Sequence, residues 1–409
     1  MQRPGIKLLV TATTFPRWKN DTEPSFVYEL SQRLAGKGHD ITVLAPHHSG
    51  AKRREVMDNL KIQRFRYFWP SSLEKLCYDG GILPNLKRRF WTWLEVPFLM
   101  AAEYFAIHRI VKQEGINMIH AHWIVPQGFL ASLLKKFHGV KYITTAHAGD
   151  IFPLKSPWLR GFAGSAISNA DACTANSQFT KKAVLGLSPD SHVDVIPMGV
   201  DLSIFSGRLK QDIRQKYGIT GKLILSVGRL AEKKGIRHLI SAMPSILKKY
   251  KDAKLLIVGD GPEKGRLESQ VAELSLKHNV IFSGRVSNRD IASYYSSADV
   301  FVLPSIVTAS GDTEGLGVVL LEALASGTPV VASNVGGVAD IIINGKTGLT
   351  VEQENPEVLA SAIMRMLKNR KLAKKLARQG KLHVEQNYSW ALVADKFNSL
   401  ILKAMRGKE

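Results

Sequence analysis

The strongest constraint on the fold is an alternation of short apolar runs with helix-like segments, which occurs twice along the 409-residue chain. The apolar runs are continuous and are bounded by turn residues, a pattern typical of parallel strands covered by helices on both faces. The alternation stops at a segment containing proline and glycine, residues 196–200, and then begins again. Two successive alternations predict an α/β fold with two Rossmann-like, doubly wound parallel-sheet domains that face each other across a cleft.

The same pattern predicts the domain limits and the individual elements. We expect one domain over residues 1–198, a second over 199–385, and a C-terminal helix within 386–409 that packs back on the first domain. Ser177 has a residue type that favours the start of a helix. The predicted strands are 6–11, 41–45, 118–120, 142–146, 172–174, 193–196, 223–227, 254–258, 280–282, 300–303 and 330–332. The predicted helices are 25–35, 128–137, 177–185, 236–250, 265–277, 289–296, 317–325 and 357–367.

Charge and cysteine content limit the possible partners and compartment. The formal net charge is +21, and the excess of lysine and arginine is spread over both halves of the chain. Such a charge suits nucleic acid, an anionic membrane surface or phosphorylated substrates, but no nucleic-acid-binding motif is present. The two cysteines, Cys77 and Cys173, are far apart, which argues against a disulfide scaffold and favours a reducing compartment. The apolar run 6–10 is too short for the core of a signal peptide, so we expect a cytoplasmic protein.

A first candidate site follows the strand predicted at 223–227. Arg229 leaves the carboxyl end of that strand, and Lys234 and Gly235 stand immediately before a predicted helix. Backbone N–H groups at a helix N-terminus favour an anion, and two converging cations add fixed positive charge. The pattern therefore indicates a diphosphate site that needs no metal, although a solvated loop with surface cations explains the segment about equally well.

A second candidate site is the glycine-rich segment 314–322. Gly315 and Gly317 allow the backbone to approach a ligand closely, and Glu314 stands just before a predicted helix. Glu322 is the one charged residue in an otherwise apolar helix, where a carboxylate is costly unless it is bonded. Ribose hydroxyls would satisfy both of its oxygens, and a structural salt bridge is the alternative.

Together, these segments resemble the family 4 retaining glycosyltransferases, which have the GT-B fold. Glu314 and Glu322, with seven residues between them, resemble the paired-glutamate motif of that family, and the cluster from Arg229 to Gly235 is similar to its diphosphate-binding segment. The resemblance covers essentially the whole chain and is strongest over 196–349. Three further motifs match, namely Pro197-Met198-Gly199-Val200-Asp201, Val258-Gly259-Asp260-Gly261-Pro262 and Gly327-Thr328-Pro329-Val330-Val331-Ala332.

The resemblance implies roles in the second half of the chain. Arg229 and Lys234 would hold the donor diphosphate, and Glu322 would bind the ribose hydroxyls. Glu314 would be a catalytic residue that binds hydroxyls of the donor sugar, with the backbone of Gly315, Leu316 and Gly317 beside it. The backbone around Arg285 and Val286 would lie against the base. Such enzymes generally work without a metal, and the chain contains no Asp-x-Asp triplet.

In the first half, the resemblance implies that His147 lies close to the donor sugar as a catalytic residue. The family has a His-Gly-x-Asp-like pattern there, whereas this chain has His147-Ala148-Gly149-Asp150, with the glycine displaced by one position. Asp150 and His122 are placed on the acceptor side. His122 shares one face of a strand with His120, and lining of the acceptor pocket is favoured over a metal pair, which would need a third ligand.

The loop after the first strand departs from the family. Many members have a Gly-Gly pair there, but this chain has charged and aromatic residues. Arg17, Lys19 or Asn20 could replace the missing contact.

The resemblance implies transfer of a sugar, with retention of configuration, from a UDP- or GDP-type sugar to a glycan or lipid-linked acceptor in polysaccharide biosynthesis. A catalytically silent sugar-nucleotide-binding protein and a sugar-nucleotide epimerase of similar fold remain alternatives. A nicotinamide dehydrogenase is disfavoured because neither half opens with a Gly-x-Gly-x-x-Gly turn. Lys87, Arg88 and Arg89 directly precede aromatic residues at 90–93, which favours a peripheral contact with an anionic membrane at the inner face of the cell membrane. A core helix over 90–110 is the alternative.

Overall fold

The chain folds into two compact units in a computed structural model. One unit contains residues 1–197 and 390–409, and the other contains residues 198–389. The structure describes residues 5–19, 21, 23, 25–154, 156–205, 211–287 and 290–407. Each unit is built around one sheet, which confirms the predicted α/β class with two parallel-sheet domains.

The first unit contains an eight-stranded sheet in the order β3-β4-β2-β1-β5-β6-β7-β8. All neighbouring strands in it are parallel except β3 and β4, which form an antiparallel edge. Its strands are β1 (Lys7–Thr11), β2 (Asp40–Pro46), β3 (Arg54–Met57), β4 (Leu60–Phe65), β5 (Met118–His122), β6 (Lys141–Ala146), β7 (Ala172–Ala175) and β8 (Val193–Val195).

Helices cover this sheet and bury its apolar residues. Ser177 begins the last of them as predicted, because its Oγ accepts a hydrogen bond from the Thr180 N–H at 3.0 Å. The structure adds helices α2, α3 and α5 to those predicted, and an aromatic 3-10 turn, Phe90–Leu94, directly precedes α3. The helices are α1 (Phe26–Gly36), α2 (Ile82–Arg88), α3 (Glu95–Glu114), α4 (Phe129–His138), α5 (Pro157–Ser168) and α6 (Gln178–Leu185).

The second unit contains a six-stranded parallel sheet in the order β11-β10-β9-β12-β13-β14. Its central strands are buried on both faces, and every residue of β12 and β13 is buried. Its strands are β9 (Leu223–Val227), β10 (Lys254–Val258), β11 (Val280–Gly284), β12 (Val300–Leu303), β13 (Val330–Ser333) and β14 (Leu349–Val351).

The helices of the second unit include one with an exposed basic side and one that carries Glu322. They are α7 (Leu202–Phe205), α8 (Ile213–Lys216), α9 (Ile236–Lys249), α10 (Lys264–Glu273), α11 (Ile291–Ser297), α12 (Val318–Ala325), α13 (Val338–Ile341), α14 (Pro356–Lys368) and α15 (Arg370–Asn387). Helix α9 packs on α14, and α12 packs on α15.

The C-terminal helix α16 (Trp390–Arg406) belongs to the first unit. It packs on α1, where Lys37 pairs with Asp395. At its end, the Lys141 ammonium donates to the carbonyls of Ala404 and Met405 at 3.0 and 2.8 Å. A cation near the last carbonyls of a helix is favourable because it satisfies unpaired acceptors and opposes the helix dipole.

Candidate active site

The two segments selected from the sequence of the second unit follow adjacent strands. Strands β9 and β12 are neighbours at the point where the strand order of the sheet reverses. The loop after β9 contains Arg229 and Lys234, and the loop after β12 leads to Glu314. Ligands of open α/β sheets bind outside the carboxyl ends of the strands at such a reversal. The topology therefore brings both segments to the place where a ligand is expected.

Lys234 and Glu314 form a nearly buried ion pair between these loops. The Lys234 Nζ lies 2.5 Å from Glu314 Oε2, and the Ser305 Oγ lies 3.4 Å from the same oxygen. Burial raises the pKa of Glu314, but the charges of Lys234 and Lys233 outweigh that effect, so the pKa lies below its usual range. Glu314 is therefore a carboxylate at neutral pH, and it holds the Lys234 ammonium in place at the carboxyl end of β9.

Two adjacent glycines, Gly336 and Gly337, hold the backbone of the 314–317 segment, and neither is among the predicted site residues. The Gly337 N–H donates to the Glu314 carbonyl at 2.9 Å. A Cβ on Gly336 would lie 2.0 Å from the Glu314 carbonyl oxygen, and one on Gly337 would lie 2.1 Å from that of Gly315. Only glycine permits this approach, and Gly336 also has a positive φ of 54°. The glycine pair in the sequence was the signal that could have identified this contact.

Glu322 lies on α12 and is bonded to a tyrosine. The Tyr295 hydroxyl, on α11, donates to Glu322 Oε2 at 2.6 Å. Burial raises the pKa of Glu322 to about 7, although the Tyr295 hydrogen bond and the Lys234 charge oppose that shift. In the part of the chain that the structure describes, Glu322 makes no salt bridge within 4.0 Å, and its observed partner is the Tyr295 hydroxyl rather than a lysine or arginine. Nothing in the sequence indicated Tyr295 as its partner.

The remaining predicted residues of this unit lie at the same edge of the sheet. Arg229 is half-buried and follows Gly228, whose N–H donates to the Val258 carbonyl at 2.9 Å. Val286 is half-buried in the loop after β11. Leu316 is buried, and Gly317 has a positive φ of 85° directly before α12. This edge therefore carries two cations, a carboxylate and a crowded glycine segment.

The first unit has its own cluster around His147, which follows β6. The His147 Nε2 lies 3.0 Å from the Nδ1 of His122, at the end of β5, and the two rings stack with centroids 5.2 Å apart. The His147 N–H donates to Asp150 Oδ1 at 2.9 Å, and the other oxygen of Asp150 accepts from the Ile124 N–H at 2.6 Å. Asp150 therefore fixes both loops, which brings His147, His122 and Asp150 together.

The displaced glycine in this segment has a structural consequence. Ala148 has a φ of 74°, in the left-handed region where glycine is preferred. The backbone thus takes the path that glycine would favour at position 148, and alanine carries the strain. Gly149 is exposed, with nothing near the position of a Cβ.

Burial keeps the histidines of this cluster neutral. It lowers the pKa of His147 and of His120 to about 3, and it lowers that of His122 well below its usual range. The His120 and His122 rings lie 4.2 Å apart, so the two do share one face as predicted. Among the described residues, the Nε2 of His122 and the Nδ1 of His120 have no hydrogen-bond partner. Among the described residues, no group of three or more His, Cys, Asp or Glu is arranged to hold a metal ion.

The cations of the first loop are paired with acids. Arg17 makes two hydrogen bonds of 2.8 Å to Asp21, and its guanidinium lies 4.6 Å from the centre of the Trp18 ring. The Lys19 Nζ lies 3.1 Å from Asp58 Oδ1. Asn20, the third candidate, lies outside the described residues.

Two of the three aromatic residues that follow Lys87, Arg88 and Arg89 are exposed, and Trp91 is half-buried. Phe90 is 87% exposed and Trp93 is 61% exposed. Helix α3 begins only after them, at Glu95. The alternative of a core helix over 90–110 is therefore wrong for these two rings. No helix within the described ranges has the length and apolar character needed to span a membrane.

Comparison with known proteins agrees with the two-unit fold described above. Residues 210–383 match the family described as glycosyl transferases group 1, and residues 25–204 match glycosyltransferase family 4. An uncharacterized glycosyltransferase of Methanocaldococcus jannaschii is 32% identical over 89% of this chain and 90% of its own length. The chain belongs to the family 4 glycosyltransferases.

Other similarities agree with this family 4 glycosyltransferase assignment. A GDP-mannose-dependent alpha-(1-6)-phosphatidylinositol monomannoside mannosyltransferase of Mycobacterium tuberculosis is 25% identical over 95% of this chain and 96% of its own. The solved structure of a sucrose-phosphate synthase from Thermosynechococcus elongatus has a TM-score of 0.79 at 23% identity, covering 98% of this chain and 99% of that one. The latter similarity supports the GT-B fold predicted from the sequence.

Proposed function

We propose that this family 4 glycosyltransferase transfers a sugar, with retention of configuration and without a metal, from a UDP- or GDP-type sugar to a lipid-linked or polysaccharide-precursor acceptor. The observation that carries the proposal is the Lys234–Glu314 pair at the strand-order reversal of the second unit. The pair places a cation suited to a diphosphate beside a carboxylate suited to sugar hydroxyls. The mannosyltransferase relative uses a GDP sugar according to its name, which supports a donor of this class.

The assignments within the donor site follow from chemistry. Arg229 and Lys234 bind the diphosphate and stabilise the charge that develops as it leaves. Glu322 accepts hydrogen bonds from the ribose hydroxyls, and Glu314 accepts them from the donor sugar. The backbone at Val286 lies against the base. Because these cations neutralise the leaving group, we expect turnover to persist in EDTA.

The reaction breaks the bond between the anomeric carbon and the diphosphate oxygen, and it forms a bond from that carbon to an acceptor oxygen. The acceptor proton passes to the leaving diphosphate on the same face of the sugar, which retains the configuration. His147 acts near the anomeric carbon as a neutral imidazole, because burial lowers its pKa to about 3. NMR of the first-formed product tests the stereochemistry, and an inverted anomer would contradict it.

The acceptor proposal rests on the exposed aromatic cluster of the first unit. Phe90 and Trp93 stand beside Lys87, Arg88 and Arg89, which suits the headgroup level of an anionic membrane. We propose a peripheral contact at the cytoplasmic face, which would give access to a lipid-linked acceptor. Cosedimentation with anionic vesicles should decrease in Lys87/Arg88/Arg89→Glu, and wild-type protein that binds neither anionic nor neutral vesicles at low salt would contradict the contact.

Incubation with donor alone and with donor plus acceptor tests the catalytic activity itself. A transferase releases nucleoside diphosphate at a rate that rises with acceptor. An epimerase alters the donor sugar without acceptor, and a silent binding protein leaves the donor unchanged. Either of the last two results would overturn the proposal. His147→Ala should reduce turnover far more than nucleotide affinity.

A further inference from the structure

The second unit carries a strongly basic helical surface that the donor site does not use. Residues 365–381 contain eight lysines and arginines and no aspartate or glutamate. Among the described residues, none of the eight makes a salt bridge within 4.0 Å, and all except the half-buried Lys381 are exposed. They are Arg365, Lys368, Arg370, Lys371, Lys374, Lys375, Arg378 and Lys381.

The cations of α15 lie along one face of the helix. Positions 374 and 375 are adjacent, and each of them is three or four residues from 371 and from 378, which is itself three residues from 381, so all five fall in one stripe. At 1.5 Å per residue, the stripe extends over about 15 Å. The opposite face is buried and contains Ala373, Leu376, Ala377, Gly380 and Val384. The helix is therefore fixed to the unit on one side and presents a row of positive charge on the other.

The buried side of α15 packs directly on the helix of the donor site. Helix α12, which carries Glu322, contacts α15. Gly380 lies so close to it that a Cβ would meet the Leu324 Cδ2 at 2.4 Å. A surface bound by the stripe would thus be connected to Glu322 through only two packed helices.

We propose that this basic stripe, defined by Lys371, Lys374, Lys375, Arg378 and Lys381, binds the surface of an anionic phospholipid bilayer by electrostatic attraction without insertion. Unpaired cations in a row match a plane of negative headgroups. Nucleic acid fits less well, because residues 365–387 contain no Phe, Trp or Tyr on which bases could stack. The inference extends the proposed membrane contact to the second unit and does not depend on which sugar is transferred.

The test is cosedimentation of the full chain with vesicles of phosphatidylglycerol and phosphatidylcholine, compared with phosphatidylcholine alone. Lys371/Lys374/Lys375/Arg378→Gln removes four charges from the stripe with residues that keep the helix favourable. Lys248/Lys249/Lys251/Lys277→Gln removes four exposed charges elsewhere on the same unit and is the matched control. We expect at least about a tenfold loss of affinity for the anionic vesicles in the stripe variant, and a much smaller loss in the control.

Three results would overturn the inference. They are wild-type affinity in the stripe variant, an equal loss in the control variant, and binding of wild-type protein to DNA but not to the vesicles. The thermal shift produced by UDP or GDP is measured on the same variants. If the stripe variant loses vesicle binding but keeps the wild-type thermal shift with UDP or GDP, the result supports membrane binding by the stripe. If wild-type protein shows no thermal shift with either nucleotide, the proposed donor site is contradicted, and the vesicle measurement still tests the stripe by itself.

Discussion

At the scale of single residues, Ala148 shows how a departure from the family pattern is accommodated. Its φ of 74° costs an alanine about 1–2 kcal/mol relative to right-handed backbone. The surrounding contacts hold it there, since the N–H of His147 and that of Ile124 both donate to Asp150. The strain is therefore local to the segment that positions His147.

We predict that Ala148→Gly raises the free energy of unfolding by about 1 kcal/mol, because glycine adopts this conformation without strain. Urea denaturation measures the change. Gly149→Ala is the control and should change stability by less than about 0.5 kcal/mol, since nothing crowds its Cβ position. Destabilisation by Ala148→Gly would contradict the account of this segment.

A second residue-scale prediction concerns Glu322, whose pKa is raised to about 7. The carboxylate accepts hydrogen bonds from ribose hydroxyls better than the protonated acid does, so nucleotide affinity should increase several-fold as the pH rises from 6 to 8. Calorimetric titration with the preferred nucleoside diphosphate measures this. The 2′-deoxy nucleotide should show a weaker dependence, as should Glu322→Gln with the normal nucleotide. An identical pH dependence in wild type and Glu322→Gln would contradict the ribose role.

The spacing of Glu314 and Glu322 predicted two members of the candidate site, because both lie in one continuous segment. Tyr295 could not be predicted as a partner, since its contact with Glu322 depends on the packing of α11 against α12. Side-chain partners brought together by tertiary packing leave no local pattern in the sequence.

At the scale of elements, the contact between Gly336–Gly337 and the 314–317 segment is the feature most directly tied to function. We predict that Gly336→Ala lowers donor affinity by at least about tenfold, because its Cβ would lie 2.0 Å from the Glu314 carbonyl oxygen and must displace that segment. Gly345→Ala is the matched control, since Gly345 also has a positive φ, 71°, but no atom within 4 Å of a Cβ. Equal affinities in the two variants would contradict the role of this contact.

The buried imidazoles of β5 and β6 predict a dependence of stability on pH. The pKa of folded His120 is about 3, against 6.5 for the ordinary value. Between these values the unfolded state binds a proton that the folded state does not, so stability falls as the pH decreases from 6.5. His120→Gln should reduce this slope by at most about 1.4 kcal/mol per pH unit. Urea denaturation at several pH values measures the slope, and an unchanged slope would contradict the burial of a neutral imidazole.

Strands with continuous apolar runs could be predicted from the sequence, and each predicted strand overlaps an observed strand. Strands β3, β4 and β14 were not predicted, and of these β3 and β14 each lie at an edge of their sheet. Strand β4, which lies between β3 and β2, has the exposed Lys61 among buried residues, β3 is largely exposed at the sheet edge, and β14 has only three residues. None of the three therefore shows the kind of continuous apolar run on which the strand predictions rested.

At the scale of the whole molecule, each of the two parallel sheets carries a different group of predicted site residues. The second unit presents cations and a carboxylate at its strand-order reversal, and the first presents a stack of neutral histidines at the ends of β5 and β6. The sequence predicted this division because each site follows the carboxyl end of a strand, where topology alone restricts the position of a ligand. The identities of the sugar, the base and the acceptor depend on shape at a finer scale than these patterns describe.

The net charge of +21 is also a property of the whole molecule. The proposed donor site uses two of the 56 lysines and arginines, and the basic surface at 365–381 and Lys87–Arg89 contain eleven more. Membrane attraction of this kind is electrostatic, so vesicle binding should weaken steeply as salt is raised.

The most direct test of the central claim is calorimetric titration of UDP and GDP into the protein in the presence of EDTA. The account predicts that at least one of them binds without a metal, and that Arg229→Ala and Lys234→Ala each weaken binding by about tenfold or more, as expected for loss of a charge-assisted contact to phosphate. Lys248→Ala, an exposed cation of the same unit, should leave the affinity unchanged. Failure of both nucleotides to bind without a divalent metal, or equal affinities in all three variants, would contradict a metal-independent donor site formed by Arg229 and Lys234.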